Sequence, residues 1–329
     1  MRVSDFSHSR FRVCAAAAML AGCGGPQPPF GAPGAMPQSH EIAVSSSSFL
    51  YVANNGQPDP AVDIFARDDL AKGPARRVTR RVSYPDGIFI DQQENLYVAD
   101  GVESGHDHVT MYRKDGQLVR IYRGLEYAVD VVAGQDGVVY AGDCDGQRVV
   151  EYKPNSTEQL RTLQLPGCAN GLTLDSKNNL YVGYTAMYKY TGQVRRYRPG
   201  ATQGTDLLPP KTVFFIGGIA IDKNGYLVVA NEGLGAIDVF TEPRKPPTRI
   251  IKTGQQLPYR FAFNRDESVM YVSSPYESGA RGLTSSGPKL ANTVVEVTYP
   301  AGKRLAIFRY GEKGYGYPTG VAVTPPAPL

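Results

Sequence analysis

The chain has 329 residues, with 35 lysines and arginines, 31 acidic residues, 36 glycines, 25 prolines and no tryptophan. This much glycine and proline disfavours a helical bundle and suits many short strands joined by tight turns. The formal net charge is +4, too small to indicate a nucleic-acid partner for the chain as a whole.

Residues 1–22 are predicted to be a lipoprotein signal peptide. Arg2, Arg10 and Arg12 precede an apolar run, Val13 to Ala21, that is too short to span a bilayer as a helix. The run ends in Leu20-Ala21-Gly22-Cys23, which resembles the bacterial lipobox, whose cysteine is diacylated and becomes the first mature residue. Residues 23–40 are rich in Pro and Gly and predict an extended tether.

The lipobox resemblance implies an exported lipoprotein on the periplasmic or cell-surface face, in contact with the membrane through the lipid on Cys23. Gly24 rather than aspartate follows the cysteine, which implies the outer membrane if the host is Gram-negative. Loss of residues 1–22 lowers the formal net charge from +4 to +2. We expect a nearly neutral, monomeric body that does not bind nucleic acid.

Residues 41–329 contain a tandem repeat that predicts an all-β, six-bladed β-propeller of four-stranded antiparallel blades. The clearest copies begin at Gly87, Gly171 and Gly218, and each continues through an apolar strand, an aspartate turn and a second apolar strand. Copies recur about every 40 to 60 residues, as expected for one blade. Their first strands contain Ile42, Ile88, Val131, Leu172, Ile219, Phe261 and Val321.

The seventh copy, Tyr317 to Val323, has no further strands after it and is predicted to close the ring as a strand of the first blade. Ile42-Ala43-Val44 competes for the same place. Whichever segment is displaced should lie beside the ring.

Four arginines, Arg76, Arg77, Arg80 and Arg81, form the densest basic run of the chain. Such a run invites a nucleic-acid or anionic-lipid interpretation. We expect it instead on the outermost strand of the first blade, where charge blunts an exposed sheet edge. Export from the cytoplasm also argues against nucleic acid.

The repeat pattern is Pro-x-Gly, an apolar strand, Asp-x-x-Gly/Asn-Asn, Leu-Tyr-Val-Ala-Asp/Asn and a Val/Ile-x-x-Tyr/Phe strand. It resembles the NHL-repeat propellers and, more distantly, the gluconolactonase–regucalcin family, over about residues 42 to 324. The resemblance implies the fold but no particular activity, because propellers carry many unrelated functions.

Strand ends of such blades bring polar residues to one rim around the axis, which predicts a candidate binding site there. Asp86 and Asn170 precede first strands, whereas Asp100, Asp143 and Asn231 end second strands. Oxygen side chains of this kind suit calcium or another divalent cation, although strand-end Asp and Asn also commonly accept backbone N–H bonds. The full candidate set is Asn54, Asp86, Asp100, Asp143, Asn170, Tyr184, Asn231 and Arg260.

The gluconolactonase resemblance implies a divalent-metal-dependent lactonase as one alternative function. Asn170-Gly171 matches that family's asparagine element and Asp86-Gly87 resembles its aspartate element, but the order is reversed and the glutamate element is missing. His106 and His108, in one loop beside Asp100, could also ligate a metal. A propeller lyase is a second alternative, because bacterial streptogramin lyases resemble this fold and use histidine.

Cys144 and Cys168 remain after Cys23 is set aside, and an even pair outside the cytoplasm invites a disulfide. Both cysteines are predicted on the same rim of adjacent blades. The alternative is two small buried thiols.

Tyrosines on a rigid rim can form a ligand platform, and Tyr184, Tyr188 and Tyr190 lie in the upper part of the fourth blade. The favoured function is therefore a membrane-anchored binding or scaffold module for a protein, peptide or carbohydrate at this rim. No cofactor is required by this interpretation.

Overall fold

The computed structural model describes residues 48–56, 59–101, 107–186, 190–275, 292–310, 316–324 and 326. Its strands are β1 (Phe49–Asn54), β2 (Ala61–Ala66), β3 (Arg76–Val78), β4 (Pro85–Ile90), β5 (Leu96–Asp100), β6 (His108–Tyr112), β7 (Leu118–Tyr122), β8 (Ala128–Ala133), β9 (Val139–Asp143), β10 (Arg148–Tyr152), β11 (Gln159–Gln164), β12 (Cys168–Leu174), β13 (Leu180–Ala186), β14 (Thr191–Tyr197), β15 (Thr205–Asp206), β16 (Val213–Phe214), β17 (Ile216–Ile221), β18 (Leu227–Asn231), β19 (Ala236–Phe240), β20 (Arg249–Ile251), β21 (Arg260–Phe263), β22 (Val269–Ser274), β23 (Thr293–Thr298), β24 (Arg304–Phe308) and β25 (Pro318–Thr324). Short 3-10 turns span Leu70–Lys72 and Glu232–Leu234.

These strands form six antiparallel sheets arranged as the blades of a propeller. Blade 1 has the strand order β25-β1-β2-β3, and blades 2, 3, 5 and 6 are β4–β7, β8–β11, β17–β20 and β21–β24. Blade 4 has the order β12-β13-β14-β15, and the short strand β16 also pairs with β14. The prediction of a six-bladed, all-β propeller is confirmed.

The C-terminal strand closes the ring. β25 pairs antiparallel with β1, so that Val321 lies opposite Val52 and Val323 opposite Leu50. This confirms the C-terminal segment as the first strand of blade 1. The described residues do not include the competing segment Ile42-Ala43-Val44 or the residues predicted to form the leader and the tether.

Apolar side chains between neighbouring blades form the core. First strands such as β4, β8 and β17 are buried at every position because both faces of a blade contact its neighbours. The contact between blades 6 and 1 is a buried cluster that includes Leu50, Phe65, Phe308 and Val321. Each such side chain contributes roughly 1.5–3 kcal/mol when fully buried.

An aspartate organises the turn between the first and second strands. In blade 4, Oδ1 of Asp175 accepts the N–H groups of Lys177 and Asn179 at 2.9 Å each, and Oδ2 accepts the Asn179 amide and the Tyr181 hydroxyl. Asp91 and Asp222 make comparable bonds in blades 2 and 5. These bonds explain why aspartate recurs at this position of the repeat.

The arginine run begins on β3, the outermost strand of blade 1, as expected. Arg77 pairs with the buried carboxylate of Asp63 at 2.6 Å, and the guanidinium carbon of Arg76 lies 5.7 Å from the centroid of the Phe49 ring. Among the described residues, no helix is long and apolar enough to cross a membrane.

Candidate functional site

We call the edge where second strands end and first strands begin the upper rim. The aspartates that end second strands on this rim bind the segment that enters their own blade. Asp100 accepts the N–H groups of Ser83 and Tyr84 at 2.6 and 2.8 Å, and Asp143 accepts those of Glu126 and Tyr127. Their carboxylates are therefore used in turns, as the alternative interpretation of the sequence allowed.

The asparagines at equivalent positions make a different bond to the third strand of their blade. The Asn54 amide donates to Asp63 at 3.3 Å, and the Asn231 amide donates to Asp238 at 2.7 Å. Asn231 also accepts the N–H of Phe214 at 3.1 Å. These side chains fix blades 1 and 5 internally.

Tyr184 is buried and contacts its own blade. Its hydroxyl lies 3.4 Å from the Asp206 carboxylate and 3.3 Å from Nη2 of Arg195, and Arg195 also pairs with Asp206 at 2.7 Å. Burial raises the pKa of Tyr184 to about 12. This tyrosine is held in place by the third and fourth strands of blade 4.

The centre of the ring contains an ion pair between two blades that are not neighbours. Nη2 of Arg260, from blade 6, lies 2.7 Å from Oδ1 of Asp86 in blade 2, and both side chains are completely buried. Nη2 also donates to the carbonyl oxygen of Val129 in blade 3 at 3.2 Å. Arg260 thus joins three blades across the axis.

Glycine occupies one position of the first strand in four blades because neighbouring blades approach closely there. A Cβ on Gly87 would lie 2.7 Å from the Val129 carbonyl oxygen, and one on Gly320 would lie 2.4 Å from that of Asp86. Gly171 and Gly218 hold the same position in blades 4 and 5. Blade 3 has Asp130 there, which accepts the N–H of Leu172 in blade 4 at 2.6 Å, and blade 6 has Arg260, which reaches Asp86.

Glu232 is a buried acid near this ion pair that the sequence analysis did not single out. It begins the 3-10 turn after β18, and its Oε1 lies 3.2 Å from the position of a Cβ on Gly217. Burial raises the pKa of Glu232 well above its ordinary value, while Arg260 lowers it and Asp86 raises it further. No local motif marked Glu232, because its burial arises from packing between blades.

The candidate metal ligands take part in protein contacts. The Asn170 amide donates to the Thr185 hydroxyl at 3.0 Å and to the Ile216 carbonyl at 2.9 Å, and Nε2 of His108 lies 3.2 Å from the Arg81 carbonyl oxygen. Asp86 pairs with Arg260, and His106 lies outside the described residues. Within the described part of the chain, no group of three or more His, Cys, Asp or Glu side chains could hold a metal ion.

Cys144 and Cys168 form a disulfide in the structure. Cys144 directly follows β9 of blade 3 and Cys168 begins β12 of blade 4. Tyr127 and Val129 surround the bridge in a small buried cluster. The bridge therefore ties two adjacent blades at the upper rim.

Two aromatic side chains are exposed together on the upper rim of blades 4 and 5. Tyr190 precedes β14 and is 57% exposed, and Phe215 precedes β17 and is 37% exposed. Their ring centroids are 4.9 Å apart and the rings are tilted by 32°. The sequence placed Tyr190 on this rim but gave no such indication for Phe215, whose only signal was the pair Phe214-Phe215 before a first strand.

Both aromatic residues have a left-handed backbone, with φ of 52° at Tyr190 and 51° at Phe215. Bulky residues rarely adopt this conformation, which costs roughly 1–2 kcal/mol per residue. The N–H of Phe215 donates to the Tyr190 carbonyl at 3.3 Å, and the N–H of Tyr190 donates to that of Ala186 at 2.9 Å. These bonds hold the strained segments together.

The 3-10 turn of blade 5 continues this surface. The N–H of Glu232 donates to the Phe215 carbonyl at 3.0 Å, and Leu234 in the same turn is 49% exposed. Nζ of Lys252 donates to the Leu234 carbonyl at 2.7 Å. We call Tyr190, Phe215, Leu234, Lys211 and Lys252 the rim patch; Lys211 is exposed and lies four residues before Phe215.

Neither a protein-family model nor a curated protein sequence matches the chain. Solved structures match its fold: a chain of the nidogen/laminin complex aligns with a TM-score of 0.65 and 16% identity, over 84% of this chain and 98% of that one. A protein of unknown function from Bacteroides caccae aligns with a TM-score of 0.61 and 14% identity, over 84% and 99% of the two chains. The similarity defines the class of protein, a six-bladed β-propeller.

Proposed function

We propose that this protein is a binding module, a propeller that docks a partner on the upper rim of blades 4 and 5. One observation carries the proposal: Tyr190 and Phe215 are exposed against each other there, and Leu234 is exposed in the 3-10 turn whose first residue bonds to the Phe215 carbonyl. The other large hydrophobic side chains exposed in the described residues are dispersed. Leu160, Ile250 and Leu305 lie on outermost strands, and Tyr226 lies in a turn on the opposite rim.

Backbone strain supports this assignment. Left-handed backbone at two aromatic residues lowers stability, and such strain concentrates at ligand-binding segments. Asparagine or glycine at either position would fold with less strain. The two aromatic residues therefore lower stability through backbone strain, and their exposed rings contribute little to the core.

The polar residues near the axis support binding rather than catalysis. Asp100 and Asp143 cap their own blades, and Asp86 is paired with Arg260. A lactonase using Asp86 and Asn170 would have to release both side chains from these contacts. A chain similar in fold occurs in a complex of nidogen and laminin.

We further propose that the propeller acts outside the cytoplasm, tethered to a membrane through lipid on Cys23. The Cys144–Cys168 disulfide supports this location because such bonds persist in oxidising compartments. The predicted tether, residues 23–40, precedes β1, so that the propeller would be presented beside the membrane with its rim available.

Site-specific photo-crosslinking in cells that express the full chain tests the proposed function. A benzophenone amino acid replaces Tyr190 or Phe215 in one pair of variants, and Leu160 or Ile250 in the control pair. We expect discrete adducts of higher mass from the rim positions and none from the outer-strand positions. Adducts that form equally at all four positions, or none at the rim, would overturn the assignment.

A further inference from the structure

The charges around the exposed rings are of one sign. In the described segments 190–193, 207–218, 230–238 and 252–258, the exposed charged side chains are Lys211 and Lys252. The acids in these segments, Glu232 and Asp238, are 5% and 1% exposed. Burial raises the pKa of both carboxyls, and Lys252 lowers that of Asp238. Both acids are buried, so the charges that a partner would contact in these segments are those of the lysines.

The arrangement of the rings favours a side chain over a sugar as the group they contact. Their centroids are 4.9 Å apart with a tilt of 32°, so each ring covers part of the other's face. A sugar ring stacks on a broad, open aromatic face, whereas an apolar side chain can pack against ring edges and the neighbouring Leu234. Leu234 is joined to Lys252 through its carbonyl oxygen, which places apolar and cationic groups side by side.

We propose that the rim patch binds an acidic peptide segment of a partner protein, which packs an apolar side chain against Tyr190, Phe215 and Leu234 and pairs its carboxylates with Lys211 and Lys252. This inference rests on the proposed binding function and names its partner chemistry. Aromatic anchors supply most of the affinity in such interfaces, and rim charges set partner choice and salt dependence.

Selection from a phage library of random dodecapeptides on the immobilised mature chain tests the inference. We expect enriched peptides to contain acidic residues near an aromatic residue or leucine. Lys211→Glu/Lys252→Glu should weaken the acidic peptides about tenfold and select basic peptides from the same library.

Tyr190→Asn/Phe215→Asn should weaken the selected peptides at least tenfold while leaving the fold intact, because asparagine tolerates left-handed backbone. Leu160→Asn/Ile250→Asn is the matched control and should bind as the unmodified chain does. If the aromatic variant loses peptide binding but the lysine variant binds the acidic peptides unchanged, the acidic partner is overturned and the proposed binding function stands. Retention of all binding by the aromatic variant would overturn both.

Probing an oligosaccharide array with the same proteins tests carbohydrate as the competing ligand. We expect no binding that depends on Tyr190 and Phe215. Oligosaccharide binding that the aromatic variant loses would overturn the peptide inference and assign the rim patch to carbohydrate.

Discussion

Arg260 stands where four other blades have glycine, and this exchange places a guanidinium in the centre of the ring. Its pairing with Asp86 is completely buried, so the two charges must compensate each other for the loss of water. The pair connects residues 174 positions apart. Arg260 therefore links separate blades, whereas the strand hydrogen bonds of each blade stay within its own sheet.

Arg260→Met should lower the free energy of unfolding by about 3–5 kcal/mol, because it leaves the Asp86 carboxylate buried without its cation. Asp86→Asn should lower it by a similar amount, because it leaves the Arg260 guanidinium buried without its anion. Urea unfolding of both variants and of the double variant measures the coupling. The double variant should be more stable than the sum of the single losses predicts. Strict additivity would show that the two charges do not stabilise each other.

The raised pKa of Glu267 predicts that the free energy of unfolding depends on pH. Burial raises its pKa to about 7, from an ordinary value of 4.5. The folded state therefore holds the proton more tightly, and this contribution to stability is complete below pH 4.5 and is lost as the pH rises through 7. The loss amounts to about 3 kcal/mol.

Urea unfolding of Glu267→Gln between pH 4 and 8 tests this prediction, because the variant stays neutral throughout. The difference in unfolding free energy between the variant and the unmodified chain should grow with pH in this window. The exposed Glu158→Gln should run parallel to the unmodified chain. A constant difference for Glu267→Gln would contradict the raised pKa.

At the scale of the element, the turn between first and second strands repeats in sequence and structure alike. Its aspartate was visible in the sequence because its bonds reach only two to four residues ahead. The second residue before the second strand is left-handed in five blades, at Glu94, Gly137, Asn178, Gly225 and Glu267. A left-handed backbone was not predicted for Glu94 or Glu267, because the side-chain type alone does not determine φ.

Glu94→Gly should raise the free energy of unfolding by about 0.5–1 kcal/mol, because glycine adopts φ of 60° without steric cost. The ion pair between Glu94 and Lys114 is largely exposed and contributes little. Thermal and urea unfolding measure the change. Asn178→Gly should raise the free energy of unfolding by less, since asparagine already tolerates a left-handed backbone. A loss of stability in Glu94→Gly alone would contradict the argument.

At the scale of the whole molecule, the ring depends on one non-local pairing. β25 supplies the first strand of blade 1 and covers the cluster of Leu50, Phe65 and Phe308 at the contact with blade 6. Its absence would expose both the edge of β1 and this apolar surface. The six blades are therefore expected to fold as one cooperative unit.

Removal of residues 317–329 should abolish the cooperative thermal transition expected of the unshortened chain and promote association, because an unpaired edge and an apolar surface become exposed. Circular dichroism and size-exclusion chromatography measure both effects. A synthetic peptide of residues 316–329 should restore the transition in part by pairing with β1. An unchanged melting curve for the shortened chain would show that closure by β25 is dispensable.

The sequence by itself determined the number of blades, the position of each strand pair and the aspartate turns, because these follow from local hydrogen bonds and apolar periodicity. It left open which terminal segment closes the ring, and it marked Asp86 and Arg260 as rim residues without pairing them. Tertiary structure decided the closure, the buried ion pair, the burial of Glu232 and the meeting of Tyr190 with Phe215. Each of these brings together residues from different blades or distant segments, and no local pattern encodes such contacts.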